Sequence, residues 1–156
     1  MKQEVLLQVN GIEEKLYLED ADTLLEALRD HIRLGSVREG CGVGTCGTCT
    51  VLLDGRPVSS CFILAARVAG REITTVEGLG QEGALDPVQD AFIEQRALQC
   101  GYCIPGFILA VKALLDENPS PSQEEVEEYL VGNLCRCGSY PDILSAVRVV
   151  EDRSLG

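Results

Sequence analysis

The chain has 156 residues, 46% hydrophobic and 24% charged, which is enough for one ordinary domain or two small ones and argues against disorder. Its formal net charge of −12 argues against nucleic acid and anionic membrane surfaces as partners. Eight cysteines stand beside a single histidine and no tryptophan, so we expect the function to depend on the cysteines.

The cellular compartment decides how these cysteines are interpreted. Residues 1–10 lack the apolar core and the cleavage site of a secretion signal, and no later apolar stretch is long enough to span a bilayer. We therefore expect a cytoplasmic protein. In a reducing compartment, an even number of cysteines indicates metal binding or catalysis before disulfides.

The first half of the sequence predicts an α+β unit. Apolar and polar residues alternate over 3–9 and 12–18 around Asn10-Gly11, a dipeptide typical of a tight β-hairpin turn. The later elements, in chain order, are a helix opened by the capping box Thr23–Glu26, a glycine-rich loop over 35–50, a strand over Thr50–Leu53 that ends at Asp54-Gly55, and a last strand over Glu72–Val76.

The second half predicts helices only. A linker is indicated at Gly78–Gly83, where the β pattern ends. Four helix starts follow: Asp86-Pro87 with a helix to about Leu98, Pro105 with a helix that ends before Asn118, the capping box Ser122–Glu125, and Pro141. The sequence therefore predicts a small all-α four-helix domain.

The first cysteine set consists of three cysteines from the glycine-rich loop and one beyond it: Cys41, Cys46, Cys49 and Cys61. The spacing C-x4-C-x2-C followed by a fourth cysteine is the plant-type pattern for a 2Fe-2S cluster. Glycines allow such a loop to bend tightly and to turn backbone N–H groups toward sulfur. Four thiolates also suit tetrahedral zinc, although structural zinc sites usually show closely spaced cysteine pairs.

The second cysteine set consists of two close pairs: Cys100 with Cys103, and Cys135 with Cys137. On spacing alone, this set fits a four-thiolate zinc site nearly as well as a 2Fe-2S cluster. Cys103 and Cys137 each precede a proline that is predicted to open a helix. Two positive helix ends would then approach the second centre and favour its reduced state.

Other motifs are weaker. Gly42-x-Gly44-x-x-Gly47 matches a dinucleotide-binding fingerprint by letter, but it lacks a preceding strand and a following helix. His31 is predicted to be a polar residue at a helix end, and the acidic run Glu124–Glu128 a solvated helix face. We find no arrangement for nucleophilic catalysis, so this sequence predicts metal binding and electron transfer without substrate chemistry of its own.

Three motifs carry a family resemblance. Glu39-Gly-Cys-Gly-Val-Gly-Thr-Cys-Gly-Thr-Cys-Thr-Val51, Gln99-Cys-Gly-Tyr-Cys-Ile-Pro-Gly106 and Gly132-Asn-Leu-Cys-Arg-Cys137 closely resemble the small iron–sulfur subunit of molybdenum hydroxylases. This family includes xanthine dehydrogenase, aldehyde oxidase and carbon monoxide dehydrogenase. One departure is Gly138-Ser139-Tyr140, which stands where Thr-Gly-Tyr is usual.

The resemblance implies two domains and two cluster sites. Residues 1–78 would form a β-grasp ferredoxin-like 2Fe-2S domain, and residues 79–156 a four-helix 2Fe-2S-binding domain. The first cysteine set would hold the cluster nearer flavin, and the second set the cluster nearer molybdenum. Gln99 matches the glutamine that approaches the molybdopterin cofactor of the large subunit, and Cys137 lies on that same side.

The resemblance also implies partners. It predicts an electron-transfer subunit that works with a large molybdopterin-binding subunit, which carries molybdenum and the cofactor in its cytosine dinucleotide form, and with an FAD-binding subunit. The expected assembly is a dimer of heterotrimers that oxidises xanthine, another N-heterocycle or an aldehyde. Two alternatives stay open: a free-standing ferredoxin-like carrier, and a zinc-binding interaction module without redox activity.

Overall fold

The structure, a computed structural model, describes residues 1–155 of the chain. The strands are β1 (Lys2–Val9), β2 (Ile12–Glu19), β3 (Thr50–Leu53), β4 (Arg56–Ser59) and β5 (Glu72–Thr74). The helices are α1 (Leu24–Glu26), α2 (Pro87–Glu94), α3 (Ile104–Glu117), α4 (Gln123–Tyr129) and α5 (Tyr140–Leu155). Strands are confined to the first half of the chain, and four of the helices form the second half. The α+β class and the four-helix domain are therefore confirmed.

The sheet forms from two tight hairpins and a central strand. Asn10 and Gly11 have φ of 52° and 78°, and Asp54 and Gly55 have φ of 50° and 78°. Two consecutive left-handed residues define the type I′ turn, whose twist matches that of paired antiparallel strands. The strand order is β2-β1-β5-β3-β4, with β5 parallel to β1 and antiparallel to β3. This mixed sheet has the β-grasp arrangement that the family resemblance implied.

The first core lies between the sheet and α1. Thr23 forms the predicted capping box with Glu26, and the chain continues from α1 as a π-helical turn over Ala27–His31. Leu24 and Leu28 are fully buried against sheet residues such as Leu7. The helix thus covers one face of the sheet, while the loop over 35–49 runs on to the cysteines.

The second core is formed by the four helices α2–α5. Asp86 and Ser122 form capping boxes at the starts of α2 and α4, as the sequence predicted. Phe92 of α2 and Phe107 of α3 are buried at the centre of this core. Within residues 1–155, no helix combines the length and the apolar character that crossing a bilayer requires.

Two element ends differ from the sequence prediction. Helix α2 ends at Glu94 and not near Leu98, because Arg96 takes a left-handed φ of 50° and the N–H of Ala97 bonds to Phe92 O at 2.9 Å. This is a Schellman cap with arginine where glycine is usual. Strand β5 ends at Thr74 and not at Val76, because the Thr75 N–H turns to Asn10 Oδ1 at 2.9 Å.

The two halves share a small core of their own. Leu52 of β3 packs against Leu109 and Ala113 of α3, and Val76 and Leu79 border the same cluster. Apolar packing therefore continues across the region where we place the domain boundary. The division into residues 1–78 and 79–156 stays a prediction, and Gly156 lies outside the described residues.

Candidate metal centres

Glycines shape the loop that carries the first three cysteines. Gly42, Gly44 and Gly47 have φ of 68°, 75° and 69°, a region that other residues rarely adopt. A Cβ on Gly40 would lie 2.7 Å from Cys46 Sγ. The loop therefore folds tightly around its sulfur atoms, as a site for a compact inorganic centre requires.

Backbone N–H groups point at the sulfur of Cys41. Val43 and Thr45 donate to Cys41 Sγ at 3.4 and 3.3 Å. The Thr45 hydroxyl and these two N–H groups lower the pKa of Cys41 to about 5. Because the thiolate is the form that binds metal, this part of the loop is prepared for an anionic sulfur ligand.

Cys49 and Cys61 form the inner part of the first set. Both side chains are buried, Cys49 just before β3 and Cys61 in a short 3-10 turn after β4. Burial and the adjacent Cys49 thiol raise the pKa of Cys61 to about 11. The fold thus brings Cys61 close to the loop cysteines across the β3–β4 hairpin.

The second set also consists of an inner and an outer pair. Cys103 and Cys135 are buried and adjacent, while Cys100 and Cys137 are exposed. Burial and the neighbouring Cys135 raise the pKa of Cys103 to about 12. The Tyr102 N–H and the nearby Cys137 lower the pKa of Cys100. Cysteines that are distant in sequence therefore lie next to one another in the fold.

Helix ends lie beside the second set. Helix α3 begins directly after Cys103, and α5 begins at Tyr140, whose hydroxyl accepts the Cys135 N–H at 2.8 Å. The Ser139 N–H, immediately before α5, donates to Cys135 Sγ at 3.5 Å. The predicted approach of two helix N-termini is confirmed, and their partial positive charge favours anionic sulfur there.

The chemistry of the donor sets fits a two-iron cluster. The buried cysteines meet in pairs, and each iron of a 2Fe-2S cluster takes two protein sulfurs. N–H groups aimed at Cys41 and Cys135 supply the hydrogen bonds that such sulfurs accept.

Gln99 lies next to the second set. Its Nε2 donates to the backbone carbonyl of Cys137 at 3.0 Å. Gln99 and Cys137 are both exposed, so this end of the site faces outward. A neighbouring chain therefore has access to both residues.

Hydrogen bonds join the two cysteine segments directly. The Leu134 N–H donates to Cys46 O at 2.9 Å, and Asn133 Nδ2 donates to Gly47 O at 3.2 Å. The Tyr102 hydroxyl donates to Glu39 O at 2.8 Å. Sequence reasoning missed these contacts, because each involves a backbone carbonyl that no residue type marks.

Arg38 forms a further link between the segments. Its Nη1 donates to Gly101 O at 2.8 Å and to Tyr102 O at 3.2 Å, and its guanidinium lies 5.4 Å from the centre of the Tyr102 ring. These contacts fix the backbone between Cys100 and Cys103. The sequence offered no signal for this role beyond a cation close to the cysteine loop.

We expect Arg38→Ala to destabilise the holoprotein by about 1–2 kcal/mol, because three hydrogen bonds from a charged donor to the carbonyls of Gly35, Gly101 and Tyr102 are lost. The Cys100 side of the second site should also become more accessible to iron chelators. Thermal unfolding and the rate of iron loss measure both effects. Arg67→Ala is the control, since it removes the same charge from an exposed side chain. Equal behaviour of the two variants would contradict the role of Arg38.

The weaker motifs have structural explanations. The Gly42–Gly47 segment belongs to the cysteine loop and leads into strand β3, so the dinucleotide interpretation fails. His31 is exposed at the end of the π-helical turn. The glutamates of the acidic run face solvent on α4 around the buried Val126.

Comparisons with known proteins agree with this geometry. A family model for a 2Fe-2S iron-sulfur cluster binding domain matches residues 7–79, and a [2Fe-2S] binding domain model matches residues 75–148. The nicotinate dehydrogenase small FeS subunit of Eubacterium barkeri is 45% identical over 147 residues, covering 94% of each chain. The nicotine 6-hydroxylase small subunit of Paenarthrobacter nicotinovorans is 47% identical over 144 residues, covering 92% of this chain and 87% of that protein.

A solved structure extends the comparison. The aldehyde oxidoreductase from Desulfovibrio desulfuricans matches with a TM-score of 0.93 and 43% identity. The match covers 99% of this chain but only 17% of that one. In that protein, the equivalent of this whole chain is therefore one part of a much longer polypeptide.

The fold, the paired thiols and the two matching 2Fe-2S domain models together define the class of this protein. It is an iron–sulfur protein with two cluster-binding domains. The chain belongs to the family of small iron–sulfur subunits of the molybdenum hydroxylases. It is an electron-transfer subunit of an oxidoreductase, and the resemblance drawn from its three motifs is confirmed.

Proposed function

We propose that the eight cysteines are the ligands of two 2Fe-2S clusters. Cys41 and Cys46 would hold one iron of the first cluster, and the buried pair Cys49 and Cys61 the other. In the second site, the outer pair Cys100 and Cys137 would hold one iron, and the inner pair Cys103 and Cys135 the other. The support is the contact within three of these thiol pairs, all except Cys41 with Cys46, and the N–H groups directed at sulfur.

The residues around each site have separate tasks in this proposal. A bound 2Fe-2S cluster accepts and releases one electron. The N–H groups of Val43 and Thr45 stabilise negative charge on Cys41, and the Ser139 N–H does so on Cys135. Burial of the inner pairs excludes water from one side of each site. The outer pairs leave an edge at which electrons can enter or leave.

The observation that carries the proposal is the bond from the Leu134 N–H to Cys46 O at 2.9 Å. Leu134 directly precedes Cys135, so one hydrogen bond connects a ligand of the first set with the neighbour of a ligand of the second. The two sites are therefore connected by a short path of covalent bonds and one hydrogen bond. A chain that only displayed two independent metal sites would not need to hold them in contact.

We propose that the outer edges of both sites are covered by partner subunits. Phe62 is 78% exposed and Val43 is 62% exposed beside the first set, while Val131 is 78% exposed near the second. Apolar side chains of this size at a redox site favour contact with another protein. By the family resemblance, the first edge faces an FAD-binding subunit. The second faces a large subunit with molybdenum and the cytosine dinucleotide form of molybdopterin, and Gln99 lies at that edge.

We further propose a cytoplasmic dimer of heterotrimers. Eight unpaired cysteines suit a reducing compartment. The complex is tested by purifying this chain from its native host through a tag and identifying what accompanies it. Two further subunits, one with molybdenum and a pterin dinucleotide and one with FAD, would support the proposal. The chain alone, with two clusters and reactive toward soluble acceptors, would favour a free-standing carrier.

Phe62→Asp is expected to weaken binding of the FAD-binding subunit by roughly 30-fold, because a central apolar contact of an interface is replaced by a charge. Both clusters should remain, since Phe62 is not a proposed ligand. The flavin content of the purified complex measures the loss. Ile12→Asp, at an exposed apolar residue of the β1–β2 hairpin, is the control. Full flavin content in Phe62→Asp would show that this edge is not the interface.

A further inference from the structure

Ser139 carries an unexplained buried hydroxyl. The residue is 0% exposed and stands between the last cysteine segment and α5. Its backbone is fully used: the N–H donates to Cys135 Sγ at 3.5 Å, and the carbonyl accepts the Ile143 N–H at 3.0 Å. Among the described residues, its Oγ is the one buried side-chain nitrogen or oxygen without a hydrogen-bond partner. An unpaired buried hydroxyl is destabilising, so its acceptor has to be sought.

The candidate acceptor for this hydroxyl is the sulfur of Cys135. The Ser139 N–H donates to this sulfur at 3.5 Å, and the hydroxyl belongs to the same fully buried residue. The hydroxyl therefore lies close to the sulfur, although it forms no hydrogen bond with it in this structure. A neutral thiol is a weak acceptor, whereas a metal-bound thiolate is a strong one.

We propose that the Ser139 hydroxyl donates a hydrogen bond to the sulfur of Cys135 when that sulfur binds a cluster, and that this bond raises the reduction potential of the second cluster. The inference rests on the proposed role of Cys135 as a ligand. An added electron increases the negative charge on the ligand sulfurs, so a donor stabilises the reduced state more than the oxidised one. Ser139 thus acts as a positioning residue that tunes its neighbour.

The Ser139 hydroxyl is also a departure from the family pattern. Glycine is usual at this position in that pattern, and Ser139 departs from it. A glycine there would keep the N–H that donates to Cys135 and remove the hydroxyl. The chain therefore has one donor more at this sulfur than the family pattern provides.

The test is a redox titration of the holoprotein in which EPR follows the two clusters separately. Ser139→Ala and Ser139→Gly both remove the hydroxyl, and Ser145→Ala removes a hydroxyl of α5 that donates to Pro141 O instead. At a fixed potential, both Ser139 variants should lower the ratio of reduced to oxidised second cluster by about threefold to tenfold. This corresponds to about 30–60 mV for a one-electron couple.

The remaining outcomes separate this inference from the proposed function. The first cluster, and both clusters of Ser145→Ala, should keep the wild-type potentials. No shift in either Ser139 variant, or a shift with only one of them, would overturn the role of the hydroxyl while leaving the ligand assignment intact. A wild-type protein with a single cluster signal would instead overturn the assignment of the second cysteine set.

Discussion

Gly47→Ala is expected to separate the two cysteine segments and to lower the iron content by more than half. A Cβ at this position would lie 2.5 Å from both Asn133 Nδ2 and Gly132 O, at a φ of 69°. The backbone must shift to relieve these contacts, and roughly 3 kcal/mol or more of stability should be lost. Iron analysis and thermal unfolding of the purified holoprotein measure the two effects.

Gly132 provides the matched control for this experiment. It faces Gly47 across the same contact, but a Cβ on Gly132 would meet nothing within 4 Å, and its φ is not in the left-handed region. Gly132→Ala should therefore keep its iron and unfold close to the wild-type temperature. If both variants lost iron equally, general disturbance of the loop would explain the effect, and close packing at Gly47 would not.

Cys135→Ser should remove the second cluster and leave the first. Cys135 belongs to the buried pair of its set and receives the Ser139 N–H, so its loss removes a proposed ligand and an organised acceptor together. The protein should retain two of the four irons expected from two 2Fe-2S domains, and one EPR signal after reduction. Its helical half should also lose stability, because the proposed cluster would link α3 with the segment before α5.

Cys61→Ser is the reciprocal variant. It removes the buried ligand proposed for the first cluster, so the other EPR signal should disappear. The pair of variants assigns each signal to one set of cysteines. Retention of all four irons by Cys135→Ser, or loss of the same signal in both variants, would contradict the division into two sites.

Local chemistry made much of the fold predictable from the sequence. Asn10-Gly11 and Asp54-Gly55 tolerate the left-handed conformation that a tight hairpin needs, and both turns form as expected. The capping boxes at Thr23, Asp86 and Ser122 mark true helix starts, because their side chains satisfy free backbone N–H groups. These signals act within a few residues, so a single sequence is enough to predict the turns and helix starts that they mark.

Element ends that depend on unusual residues were not predictable. Arg96 ends α2 in a conformation that normally marks glycine, so the sequence suggested a longer helix. Strand β5 ends because of an amide 65 positions earlier, that of Asn10. In both cases a tertiary contact or a tolerated backbone strain decides the outcome, and neither leaves a local pattern.

The candidate sites, too, could be predicted only in part. Cysteine spacing indicated which thiols belong together, and the structure brings them into pairs. The hydrogen bonds that join the sites depend on Asn133, on the Leu134 N–H and on Arg38, all with backbone carbonyl acceptors. Because a carbonyl is present in every residue, such partners can be identified only once the chain is folded.

The most direct test of the central claim is metal analysis of anaerobically purified protein, combined with low-temperature EPR before and after dithionite. Two 2Fe-2S domains predict four irons, four sulfides and two distinguishable S = 1/2 signals after reduction. Two irons together with zinc would contradict the assignment of the second cysteine set. Zinc alone, in protein shown not to have lost iron during purification, would contradict the electron-transfer function itself.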